Sequence, residues 1–237
     1  MKTRQHPGRA SKGSQFHLQN LVNDYPEYLN CLILSNSPSL RTYSATHPKW
    51  VSPLASDDYA EYQDKQFLEA IGFPKLSNKL ASFWPQGGPV WDALATVEGK
   101  SGSRGVILLE AKSHLMELPN PSYACGATGK SLEQIKKSLT TVKRELKVKR
   151  KIDWLGDYYQ YANRLAHLYF LIIEGQVPTW MVFLYFVGDV EQNGPSTVTE
   201  WTASIDKAQD KLCLPQNHLL EETIITVFAP VPVLNRQ

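Results

Sequence analysis

The chain has little cysteine, no long apolar run and no strong charge of either sign. Its three cysteines, Cys31, Cys125 and Cys213, lie far apart and form no CxxC pair, which argues against a sequence-local zinc site. An odd count without a secretory signal suits reduced thiols, and the expected compartment is cytoplasmic. The N-terminal stretch, MKTRQHPGRASKGSQ, is basic and polar and lacks the apolar region of a signal peptide. It is expected to be a disordered arm over residues 1–15. The most apolar runs, Leu165–Ile173 and Trp180–Val187, are about nine residues each, short of the ~20 that a membrane helix needs. A formal net charge of +2 leaves any partner to be read from local patches.

What is present is the composition of a folded protein: 237 residues, 42% hydrophobic and 20% charged. Residues 16–237 are expected to form one domain. Residues 16–55, with Pro26, Pro38, Pro48 and Pro53, predict a short helix near Gln19–Tyr28 and then irregular chain. Helical spacing starts near Ser56–Asp58 and runs to Gly72, and Pro74–Gly88 reads as a connector. Val90–Glu98 and Gly105–His114 read as strands joined by the turn 99–103, a β-hairpin. Ser131-Leu132-Glu133-Gln134 has the form of a capping box opening a helix to about Lys147. A helix over Trp154–Glu174, a buried strand at Thr179–Val187, a helix at Trp201–Leu212 and a strand at Thr223–Ala229 complete an α/β sheet flanked by helices.

Acid-x-Lys occurs three times. Glu98-Gly-Lys100 straddles the turn, and Glu145-Leu-Lys147 lies in a charged helix where such residues do not share a face. Glu110-Ala111-Lys112 instead ends an apolar strand, where positions i and i+2 project together. Ionised groups there must be paired or metal-bound, and a plain Glu–Lys ion pair would meet that need. Asp92, in the hairpin partner strand, adds a second carboxylate that one lysine only half neutralises. A hard divalent cation resolves the excess, with Mg²⁺ expected and Mn²⁺ as its substitute. It would polarise a phosphate and acidify a water, with Lys112 orienting that water or stabilising charge on phosphorus.

Asp92 with Glu110-Ala111-Lys112 resembles the active site of the PD-(D/E)xK nuclease superfamily, over about residues 57–187. The resemblance implies a restriction-endonuclease-like core of helix, three-strand meander, helix and strand, here with an N-terminal extension. It implies Mg²⁺-dependent phosphodiester cleavage, mostly of DNA, with Asp92, Glu110 and the Ala111 carbonyl as metal ligands. Val90-Trp91 stand where the motif's name has proline. The resemblance also implies that Glu61, on the preceding helix, approaches the metal, with Glu69 a weaker candidate, and that Gln160 reaches the site from the helix after the strand. Solvent exposure for Glu61, and capping or packing for Gln160, are the competing readings. Gln160, Asn163 and Arg164 share one stripe of that helix. His114 continues the Glu110–Lys112 face, whereas His167 reads as a core histidine.

Lys136, Lys137, Lys143, Arg144, Lys147, Lys149, Arg150 and Lys151 face one acid, Glu145, in the same segment. They are candidates for nucleic-acid phosphate binding, against the alternative of a solvated face. A homodimer would suit double-strand cutting. Two competing expectations remain: a catalytically silent nuclease fold that binds nucleic acid or a protein, and a structural Asp/Glu/Lys network.

Overall fold

The structure is a computed structural model that describes residues 8–149 and 152–231, without the Tyr123 side chain. Its helices are α1 (Gly13–Asn23), α2 (Pro26–Ser35), α3 (Pro38–Tyr43), α4 (Asp64–Ala70), α5 (Ser77–Phe83), α6 (Gly129–Glu145), α7 (Tyr159–Tyr169) and α8 (Val198–Leu212). The strands are β1 (Lys49–Ser52), β2 (Ala93–Glu98), β3 (Arg104–Lys112), β4 (Thr179–Val187) and β5 (Ile224–Pro230). They form one mixed sheet in the order β1-β2-β3-β4-β5. The β1–β2 and β2–β3 pairs are antiparallel, and β3–β4 and β4–β5 are parallel. The chain is therefore α/β. Among the described residues, no helix is long and apolar enough to cross a membrane.

Alternation along the strands sends their side chains into two apolar layers. Leu94, Val106, Leu108, Met181, Phe183 and Tyr185 face α4–α8. Ala95, Ile107, Leu109, Val182, Leu184 and Phe186 face residues of α1–α3, including Leu18, Leu21, Leu29, Ile33 and Leu40. This double burial explains why β4 reads as a continuous apolar run, the expected mark of a strand covered on both faces. Its bounds, and the β2–β3 hairpin, agree with the sequence reading. In α6 the buried residues Ile135, Ser138, Leu139 and Val142 follow the i, i+3, i+4, i+7 stripe of a helix lying on a core.

Several expectations need correction. The extension is not irregular chain: Pro26 and Pro38 open α2 and α3. Proline suits a first helical position, because its missing N–H has no intrahelical role there. Residues 13–15, assigned to a disordered arm, begin α1; residues 1–7 lie outside the described residues. The run from Ser56 opens as a 3-10 turn at Ala55–Asp57, is broken where Asp58 and Tyr59 adopt left-handed backbone at φ 49° and 54°, and becomes α-helical only at Asp64. Glu61 therefore precedes α4 instead of riding on it. The connector 74–88 contains α5. Ser131 is no cap, since α6 starts two residues earlier behind Thr128. Trp154 lies before α7, tied by its indole N–H to the Leu212 carbonyl (3.0 Å). The three-strand meander exists in space, but α4 and α5 intervene between β1 and β2.

Candidate active site

The hairpin stops pairing where the charged residues begin. Ala93 opposite Leu109 is the last β2–β3 pair at this end, and Asp92 lies just beyond it. Trp91 turns aside to bridge with Tyr62, its N–H donating to the Tyr62 carbonyl (3.1 Å). The Ala111 N–H, deprived of a strand partner, donates to Asp92 Oδ2 (2.8 Å). A strand residue's N–H and C=O face the same neighbour, so the Ala111 carbonyl faces this side too. Glu110 and Lys112 follow Val106 and Leu108 on the face covered by α4–α8.

Glu110, 2% exposed, is held at both oxygens. Lys112 Nζ donates to Oε1 (2.5 Å). Arg164 donates to Oε2 through Nε (2.7 Å) and approaches it with Nη2 (2.6 Å). Burial opposes the charge on Glu110, but Arg164, then Lys112, outweighs it and lowers its pKa. Burial likewise opposes the Lys112 ammonium, yet Glu110, then Asp92 and Glu117, raises its pKa above the usual lysine range.

Asp92 is pushed well above the ordinary carboxylate range by burial, then by repulsion from Glu110, with Glu61 adding to it. Glu61 is raised by burial foremost and by Glu110, against a hydrogen bond from Gln15 Nε2 (2.8 Å). Glu61 is buried, not solvent-facing. Four carboxylates, Asp92, Glu61, Glu110 and Glu117, thus act around two cations, Lys112 and Arg164, and both cations sit on Glu110.

Gln160 borders a cleft of about 10 Å³, room for about one water, with Glu110, Lys112, Glu117 and Arg164. Two participants carry no role in the sequence reading. Arg164 shares the Gln160 stripe, and its signal is an always-charged side chain inside an apolar helix, which needs a buried partner. Glu117 reaches the cleft because its Oε1 accepts the Ser113 and His114 N–H groups (2.9 Å each), folding the chain back after β3. His114 caps that turn, its Nδ1 accepting from Met116 N–H (3.0 Å), and does not line the cleft. Glu69 is exposed and pairs with Lys65 (3.2 Å).

His167 is a core histidine, as expected, with Nδ1 2.9 Å from the Asn163 carbonyl and its ring among Phe67, Trp84 and Trp91. Burial lowers its pKa to about 3. The unfolded chain therefore binds this proton first, so the stabilising contribution is full above about pH 6.5 and is lost as pH falls toward 3. Asp92 and Glu61, raised in the fold, act in the opposite sense. The expected result is a smaller loss of melting temperature between pH 6.5 and 4 in His167→Gln than in the wild type, measured by thermal denaturation in parallel.

Among the described residues, none of the basic segment borders the cleft. Lys143 donates to the Ile152 carbonyl (2.9 Å) and lies 5.7 Å from the Trp154 ring centroid, while Arg144 pairs with Glu145 (2.9 Å). Arg144 and Glu145 act on Tyr169, about 13 Å farther along α7 than Gln160. Lys136, Lys137, Lys147 and Lys149 are exposed; Arg150 and Lys151 lie outside the described residues.

Comparison with protein-family models, curated proteins and solved structures finds no match for this chain.

Proposed function

We propose that this protein is a metal-dependent nuclease hydrolysing nucleic-acid phosphodiesters, with DNA as the first candidate, on a restriction-endonuclease-like core. The observation that carries this reading is the convergence of Asp92, Glu110 and Lys112 at one end of the hairpin. Among the described residues, no three His, Cys, Asp or Glu side chains are already gathered around a cation position. The chemistry of the donors nevertheless fits: hard oxygens, with negative charge in excess on the Asp92 side. Asp92, Glu110 and the Ala111 carbonyl would hold Mg²⁺ or Mn²⁺, and Glu61 would add charge beside them. Glu110 would have to exchange its contact with Lys112 for the cation. The bound metal would supply Lewis acidity toward phosphate and an acidified water. Lys112 would then hold that water or the charge developing on phosphorus; it lines the cleft together with Gln160.

The saturation of Glu110 by Lys112 and Arg164 favours one competing reading: a silent nuclease fold that binds nucleic acid or a protein partner. Incubation of the protein with single- and double-stranded DNA and RNA, with Mg²⁺ or Mn²⁺ and then EDTA, separates the two. Cleavage abolished by EDTA is expected; binding without cleavage under every condition favours the silent module. Phosphate contacts are assigned to Lys136, Lys137, Lys147 and Lys149, with Arg150 and Lys151 from the same sequence run. Neutralising Lys147 and Lys149 together should weaken DNA binding and reduce the slope of log K against log salt by about 2. An unchanged slope would remove this segment from the interface. Double-strand cutting would call for a homodimer.

A further inference from the structure

Asp92 and Glu110 lie one residue past the last β2–β3 pair, Ala93 opposite Leu109, and the Ala111 N–H bond to Asp92 Oδ2 (2.8 Å) is one tie between the two chain segments. A second comes from α7. Arg164, 4% exposed, bridges the gap. Its Nε and Nη2 hold Glu110 Oε2, and Nη2 also donates to the Val90 carbonyl (3.2 Å). Its guanidinium lies 5.2 Å from the centroid of the Trp91 ring. Nη1 donates to Asn163 Oδ1 (2.7 Å), which fixes the plane of the fork from within α7. One side chain therefore grips the two residues immediately before Asp92 and the carboxylate of Glu110.

We propose that Arg164 is a positioning residue: a bracket that sets the separation of Asp92 and Glu110 and leaves Glu110 Oε1 as its exchangeable oxygen. This rests on the nuclease reading for its bearing on the reaction. The asymmetry between the two cations supports it. Arg164 is a planar fork anchored to four groups, whereas among the described residues the ammonium of Lys112, on its flexible stem, hydrogen-bonds to Glu110 alone. Lys112 would yield Oε1 to a bound cation, while Arg164 would keep its hold on Oε2. Lysine at position 164 cannot reproduce it, because one ammonium cannot hold the carboxylate side-on, reach the Val90 carbonyl and lie flat on an indole.

The test is amide hydrogen exchange, read by NMR on the metal-free full-length protein, for wild type, Arg164→Lys and Asn163→Ala. The reporters are Trp91 N–H, bonded to Tyr62, and Ala111 N–H, bonded to the Asp92 carboxylate. Arg164→Lys is expected to speed exchange at both by at least about tenfold, with Leu108 and Val182 amides unchanged. Asn163→Ala should give a smaller change at the same two sites, and it decides the matter if Arg164→Lys does not fold. In the cleavage assay, kcat should fall at least about tenfold with KM for DNA unchanged. Uniform acceleration, or none, in the variants that fold would overturn the bracket even in an active nuclease. Selective loosening with full kcat would overturn its bearing on the reaction. A wild type that cleaves nothing would instead sink the nuclease reading while the exchange result still stands or falls alone.

Discussion

Lys112→Met is expected to lower Mg²⁺-dependent cleavage by about 10²–10⁴-fold, the range lost with a positioned proton-transfer or charge-stabilising group. The same variant should bind Mn²⁺ at least as tightly as the wild type, because the ammonium competes with a cation for Glu110 Oε1. Calorimetric titration with Mn²⁺ alongside the cleavage assay reads both effects. Opposite signs identify Lys112 as acting on water or phosphate and not as part of the metal's cage. Weaker metal binding together with lost cleavage would show that Lys112 holds the site's shape. Retained cleavage would end the proposed mechanism. The lysine suits this role because it is buried beside carboxylates that keep it charged: Glu110 foremost, then Asp92 and Glu117.

Glu110→Ala is expected to cost about 3–5 kcal/mol of stability, the usual penalty for removing one partner from a buried ion cluster. For a chain of this size that is a fall in melting temperature of roughly 6–20 °C. The cost is this large because the loss of Glu110 strands both Lys112 and Arg164, 7% and 4% exposed. Replacing Glu110, Lys112 and Arg164 together by methionine should recover much of the stability, since buried ionic triads can be exchanged for packed apolar side chains at little cost. Thermal denaturation of the single and triple variants checks this. A triple variant no more stable than Glu110→Ala would show that Arg164 stabilises the fold through Val90 and Trp91 instead of through its charge partner.

Local patterns determined the hairpin and β4. A Gly/Ser turn between two apolar runs, and an unbroken aromatic and β-branched stretch, are properties that neighbouring residues settle among themselves. They also determined that Glu110 and Lys112 share one face, because the alternation of a strand is a rule of the backbone, and the short hairpin turn brought Asp92 beside them. His167 was legible for a related reason: a lone histidine within an apolar helix has little choice but burial.

Only the tertiary structure decided how those charges are satisfied. Arg164 lies 54 residues from Glu110. Its partner depends on where α7 crosses the sheet, which no periodicity encodes. Glu61 entered the site from a bridge beside Trp91 and not from a helix, because left-handed turns at Asp58 and Tyr59 delay α4. The prolines of the N-terminal region looked like interruptions when taken alone. In the structure they open helices that cover the second face of the sheet. The basic segment, single-signed in sequence, is divided by packing into exposed lysines and side chains already committed to Ile152, Trp154 and Glu145. Charge and alternation are written along the chain, whereas the partner of a buried charge is chosen by which distant element folds against it.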